Sequence, residues 1–134
     1  MKGIKMTYEK TLNMTVGLKD MIGKVFTSVT GEVGSREIVF ATDKETFTFM
    51  HFQDCCESVE VNDIVGDLQD LVGTPILVAE EAVGGEVDGF EGSESYTWTF
   101  YKFATFKGWV DIRWLGESNG YYSEGVSLEY EKLA

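Results

Sequence analysis

The chain has 134 residues with 23 acidic and 11 basic side chains, a formal net charge of −12, so a phosphate backbone would be repelled and no direct nucleic-acid partner is expected. Its length fits one domain that buries roughly two-thirds of its unfolded surface, and 43% apolar with 13% aromatic residues argues against a disordered chain. No apolar run approaches the roughly 20 residues that span a bilayer, and the lysine-bearing N-terminus lacks the continuous apolar stretch of a signal peptide, so a cytoplasmic protein with no membrane partner is expected.

Residues 1–14 show no clear period and read as an N-terminal arm, ahead of a single domain over 15–134. Val16–Ile22, stopped by Gly23, reads as a short helix; Lys24–Glu32 is rich in β-branched and aromatic residues and reads as a strand. Turns at Gly34-Ser35 and Thr42–Lys44 then set off strands at Arg36–Ala41 and Glu45–Phe52, the second with Phe47, Phe49 and His51 on one face. Asn62 reads as an N-cap. Beyond it Ile64, Val65, Leu68, Leu71 and Val72 recur at helical spacing with Asp63, Asp67 and Asp70 opposite, which predicts the main helix, closed by Gly73 and by Pro75 beyond it.

Ile76–Val83 reads as a strand running into VGGEVDGFEGSE, whose four glycines and four acids predict an exposed loop. The last third reads as a three-strand meander, Ser95–Thr105, Trp109–Leu115 and Tyr122–Tyr130, joined at Phe106-Lys107-Gly108 and at Glu117-Ser118-Asn119-Gly120. In its first strand Tyr96, Trp98 and Phe100 share a face before the apolar phase shifts to Tyr101 and Phe103, which suggests a bulge or burial on both faces. In its second, Val110, Ile112 and Trp114 face the core while Trp109, Asp111 and Arg113 face away. The expected class is α+β: a mostly antiparallel sheet of six to seven strands with one main helix packed on it.

Chemistry-bearing side chains gather in two places. The segment Glu94–Glu124 holds all three tryptophans, four of the six tyrosines and only three cations, Lys102, Lys107 and Arg113. Arginine offers a planar fork for phosphate or carboxylate, asparagine a donor beside an acceptor for the edge of a base, and tyrosine or tryptophan a rigid stacking face. Trp98, Lys102, Trp109, Arg113, Glu117, Asn119, Tyr121 and Tyr122 are therefore the candidate ligand-binding residues. The competing reading pairs Arg113 with Asp54, Glu57 or Glu117 and leaves Asn119 to its turn.

The second place surrounds the lone histidine: His51, Asp54, Cys55 and Glu57 are weak candidate metal ligands, without the spacing of a zinc motif. Adjacent Cys55 and Cys56 have α-carbons about 3.8 Å apart, below the usual disulfide range, and read as reduced thiols. Nothing cationic nearby would lower a thiol pKa for nucleophilic work; Glu80-Glu81 could form an acid–base pair with Asp111 or Glu117, but as adjacent strand residues they point to opposite faces and cannot work together directly, so they read as solvated glutamates. No catalytic residue and no cofactor are assigned, and an enzyme is not the expected class. From Glu45 to Tyr101 the chain has 13 acids and no lysine or arginine, which reads as a solvated face or as a mimic of nucleic acid that fills a basic groove on a partner.

The strings HFQDCCESVEVNDIVGDLQDLVGTPILVAEE and SYTWTFYKFATFKGWVDIRWLGESNGYYSEGV are similar to a family of small proteins of unknown function found in phages and bacteria. The resemblance covers about residues 15–130 and rests on the DCCE centre at Asp54–Glu57, the GDLxDLxGxPI segment, the WTFYKFAT strand and the RWxGESNGYYSE turn. It implies no activity of its own. The setting it implies is one in which short phage proteins, usually homo-oligomers, sequester cyclic-nucleotide or ADP-ribose-type signals of host defence. The expected function is therefore non-enzymatic binding of a small nucleotide-like ligand, as counter-defence in the host cytoplasm. The alternatives are an acidic inhibitor of a basic host protein and a metal-binding protein built on His51–Glu57.

Overall fold

Eight segments form strands: β1 Ser28–Thr30, β2 Glu37–Ala41, β3 Glu45–Met50, β4 Ser58–Val65, β5 Val78–Glu86, β6 Ser95–Thr105, β7 Gly108–Ser118 and β8 Ser127–Lys132. The computed structural model describes residues 16–86 and 95–133. The expected arm over 1–14, and most of the expected loop over 83–94, lie outside the described residues. The strands form two four-stranded antiparallel sheets, β1-β2-β3-β8 and β4-β7-β6-β5.

The sheets pack face to face through inward-pointing rings. Phe49 meets Tyr101 at 4.7 Å between centroids and Phe40 meets Phe103 at 4.9 Å, each pair joining one sheet to the other. Phe26 adds edge contacts to Phe40 and Phe47. Tilted ring pairs of this kind contribute about 0.5–1.5 kcal/mol beyond the area they bury. Met21, Val29, Ile38, Val61, Leu71, Ile76, Val110, Ile112 and Trp114 complete the buried cluster. Backbone bonds seam one side: Gly34 N–H donates to Val61 O and Val61 N–H to Ser35 O, both within 2.9 Å, so the β1–β2 turn covers the outer edge of β4.

The α+β expectation is overturned. The only helical segments among the described residues are two 3-10 turns, Leu18–Met21 and Leu68–Leu71. The segment read as the start of the main helix is strand β4, with Val59, Val61 and Ile64 paired inward against β7. Its ladder slips between Val61 and Asp63, leaving Asn62 as an extra residue. That bulge breaks the two-residue period, and the displaced apolar residues then mimic a helical one. Gly66, at φ +108°, ends the strand, and Asp67, not Asn62, is the cap: its Oδ1 accepts the Gln69 N–H at 2.9 Å. The turn that follows buries Leu68 and Leu71, the same two residues that suggested a helical face.

The three-strand meander is corrected as well. β6 and β7 form a hairpin around Phe106-Lys107, in continuous register from Ser95↔Ser118 to Thr105↔Gly108. The chain then leaves that sheet, and β8 pairs with β3 across the sandwich, Phe47 opposite Tyr130.

Candidate functional site

Directly opposed residues of antiparallel strands project to the same face, so the registers of β4, β5, β6 and β7 fix what the outer surface of the second sheet displays. One row reads Glu80–Lys102–Asp111, the next Ala82–Phe100–Arg113–Asp63, and the third Gly84–Trp98–Leu115–Glu60. Thr99, Tyr101 and Phe103 take the inner face and are buried. Tyr96, Trp98 and Phe100 take the outer one, without any bulge in β6. The first sheet differs: its outer rows hold Val39, Thr48 and Glu129 or Ala41, Thr46 and Glu131, with no ring.

The rings on the outer face are ordered against one another and against cations. Trp98 lies parallel to Phe100 at 6.5 Å and edge-on to Tyr96 at 6.3 Å. The Arg113 guanidinium sits 5.0 Å from the Trp98 centroid, and Lys102 Nζ sits 5.5 Å from that of Trp109. Arg113 is steadied from β4, where the bulge brings two consecutive side chains to it: its Nε donates to Asn62 Oδ1 at 3.0 Å, and Asp63 Oδ2 stands 3.8 Å from Nη2. Lys102 makes no hydrogen bond or ion pair among the described residues.

Between these groups lies a depression of about 380 Å³, with Glu80, Ala82, Phe100, Lys102, Asp111 and Arg113 in its walls. Phe100, 42% exposed, is part of its lining, and Trp109, 59% exposed, stands on the same face of the sheet outside it. On the β5 side Ala82 lies opposite Phe100. A larger, more open cleft of about 680 Å³ runs between Val29–Val33 and Ile64–Gln69, but neither a ring nor a cation lines it.

Of the residues expected to bind a ligand, Trp98, Lys102, Trp109 and Arg113 share this face, and Glu117 stands at its end opposite Tyr96. Asn119, Tyr121 and Tyr122 do not join them. They form the turn after β7, where Asn119 Oδ1 accepts the Tyr121 N–H at 3.0 Å, Gly120 adopts φ +94°, and the two tyrosines pack edge to face on each other at 5.1 Å. Lys107, considered as a second cation, donates instead to Val72 O at 2.7 Å at the hairpin end. Phe100, Glu80 and Asp111 were missed as site residues. The signal for Phe100 was present, since an alternating strand with rings in both phases must turn one set outward.

The histidine cluster is a buried tie rather than an open ligand set. Glu57 Oε2 accepts from His51 Nε2 at 2.7 Å and from Asp54 N–H at 2.8 Å, and Oε1 accepts from Cys55 N–H at 2.8 Å. His51 Nδ1 reaches Gly125 O at 2.7 Å. The ring thus ties the β3–β4 connection to the β7–β8 connection at one point. The His51 bond, foremost, and the two backbone bonds hold the Glu57 carboxyl down to about 2. The expectation of reduced thiols is overturned: Cys55 and Cys56 form a disulfide with each other, on an exposed turn. No group of three or more metal-ligating side chains occurs among the described residues.

A second buried carboxylate, Glu124, accepts from Thr97 Oγ1 at 2.7 Å and, through its other oxygen, from Ser118 Oγ. It packs directly over Gly116, where a Cβ would lie 2.3 Å from the Glu124 carbonyl oxygen. No helix among the described residues is long and apolar enough to cross a membrane.

The family model for DUF7448, a domain of unknown function, matches residues 19–128, and the chain belongs to that family. No curated protein and no solved structure matches it.

Proposed function

We propose that this protein is a non-enzymatic binder of a small planar, nucleotide-like ligand, seated on the outer face of β5–β6–β7. One observation carries the reading: Phe100, Lys102 and Arg113, separated by up to thirteen positions in sequence, line one exposed depression, with Trp98 packed against both Phe100 and Arg113 beside it. A base stacked on Phe100 and Trp98 would gain about 1–3 kcal/mol per ring contact. The unengaged N–H groups of Arg113 and the Lys102 ammonium suit a phosphate. Glu80 and Asp111 can only accept, so they suit the N–H edge of a base.

The charge balance shapes how such a ligand binds. Lys102 and Arg113 share the depression with Glu80, Glu81 and Asp111, on a chain of net charge −12, so the long-range field repels an anion and only direct contact with the two cations attracts it. Salt screens the first more than the second, and affinity should hold or rise from low to moderate salt. Held in excess over its ligand, a binder of this kind acts by sequestration, and a host nucleotide immune signal is the case the phage-protein resemblance implies. A second subunit would close the open side of the face.

The test is a thermal-shift and calorimetric screen with linear and cyclic mono- and dinucleotides, followed by tryptophan quenching. A ligand at a hundred times its Kd adds about 2.7 kcal/mol to stability. Phe100→Ala and Arg113→Ala should each remove the shift while the unliganded protein still unfolds cooperatively. The proposal fails if no nucleotide shifts the wild type, or if the shift survives both substitutions.

A further inference from the structure

The four edge strands of the two sheets are not equally protected. β1 is three residues long, and β4 is covered by the β1–β2 turn. β8 is six residues long and carries Glu129, Glu131 and Lys132. β5 is nine residues long, contains neither proline nor lysine, and pairs with β6 alone among the described strands, while the Leu18–Met21 turn packs against it. Glu80, Glu81, Ala82, Val83 and Gly84 are all exposed. Consecutive exposure of residues that point to opposite faces means that this stretch reaches past the body of the first sheet, although Glu81 still accepts the Tyr101 hydroxyl at 2.7 Å. Natural sheets commonly block an edge with proline, a bulge or lysine; here the only charges are glutamates, which deter a like-charged strand but not a basic one.

We infer that the outer edge of β5 is a docking strand for an extended, basic segment of a partner protein, which adds to the sheet as a further strand. Main-chain hydrogen bonds would supply affinity and alternate side chains the selectivity. The chemistry of the partner follows from the edge. Glu80 and Glu81 place one carboxylate on each face, and no lysine or arginine lies between residues 45 and 101 to offset them. Lysine or arginine on either face of the incoming strand finds a counter-charge. Val83, 64% exposed, offers an apolar contact, and at Gly84 a side chain would meet nothing within 4 Å, which leaves room for bulky residues on the added strand. A second copy of this chain is the poorer occupant, because two β5 edges would set carboxylate against carboxylate, and like charges across a strand pair destabilise it.

The probe is a fluorescently labelled nine-residue peptide that alternates valine and lysine, with blocked ends. Its control has the same charge but proline in place of the valines, so that it cannot form a ladder. The valine–lysine peptide should bind, protect the amides of Glu80–Gly84 from hydrogen exchange, and lose at least tenfold in affinity to V83K/G84K, which places cations on the edge. Equal binding of the proline peptide would reduce the effect to attraction by net charge and overturn the inference. So would absence of binding, protection on another strand, or a wild-type dimer that V83K/G84K dissolves. Gly84 borders the proposed ligand face, but the peptide measurements use no nucleotide, so their outcome is separate from that of the ligand screen.

Discussion

The guanidinium of Arg113 rests 5.0 Å from the centre of the Trp98 indole, and its Nε is fixed by Asn62 at 3.0 Å. Both contacts lie on a half-exposed surface, where a cation–ring contact contributes about 0.5–1 kcal/mol and an ion pair such as that with Asp63 about as little. Arg113→Ala should therefore change the unfolding free energy by no more than about 2 kcal/mol while removing ligand binding. Urea melts check this; a loss of several kcal/mol would make the residue a structural strut instead.

Acid should undo the His51–Glu57 tie. The Glu57 carboxyl is lowered from 4.5 to about 2, chiefly by its bond to His51. Its contribution is thus fully present above pH 4.5, where the unfolded chain is also ionised, and is lost as pH falls toward 2. Glu45 adds to the same limb, since bonds from Lys24 and Tyr130 outweigh its burial and lower it. Urea midpoints followed from neutral pH into acid should fall steeply through this window. In Glu57→Gln the neutral-pH midpoint should be lower and the acid fall shallower; an unchanged profile would show that the tie does not support the fold.

At the other end of the scale, Tyr130 is pushed up from 10.0 to about 12, by burial first and then by its bond to Glu45 at 2.7 Å. Tyr101 is raised further for the same two reasons, with Glu81 as its acceptor. A raised phenol contributes stability that is complete below pH 10 and disappears as pH climbs through 12. Phenolate absorbance should show two of the six tyrosines ionising late and together with loss of structure. Glu45→Gln should bring one of them back toward 10; six tyrosines titrating alike would refute the assignment.

Two glycines should respond in opposite senses to alanine. At Gly116 the new methyl would sit 2.3 Å from the Glu124 carbonyl oxygen, and backbone cannot step aside as a flexible side chain can. Overpacking of this kind costs about 1–3 kcal/mol. At Gly84 nothing lies within 4 Å, and a strand glycine replaced by alanine gains about 0.5 kcal/mol from a less floppy unfolded chain. Melting temperatures of the two variants, one down and one level or slightly up, decide the point.

Much of the sandwich was legible residue by residue. The bounds of β6, the inward set Phe47 and Phe49, and the inward set Val110, Ile112 and Trp114 all follow from two-residue alternation and stand in the structure. β4 was hidden because the extra residue at Asn62 breaks that alternation and leaves a pattern that a helix would also produce. The partner of β8 could not be read, since a strand's own pattern says which face is buried but not which strand lies beside it. The candidate face was half legible. Trp98, Lys102, Trp109 and Arg113 are in place, whereas Asn119, Tyr121 and Tyr122 were nominated by nearness in sequence and sit past the end of β7.

The pairing of β8 with β3 also sets an order of assembly during synthesis. Every strand of the second sheet lies between residues 58 and 118, so that sheet can zip up as one contiguous stretch leaves the ribosome. The first sheet cannot be finished until residues 127–132 arrive to meet Glu45–Met50. Until then the Phe47 and Phe49 strand has an open flank, a long-range closure of the kind that slows folding and invites aggregation. A nascent chain stalled before β8 should for that reason be a client of chaperones, however complete its second sheet already is.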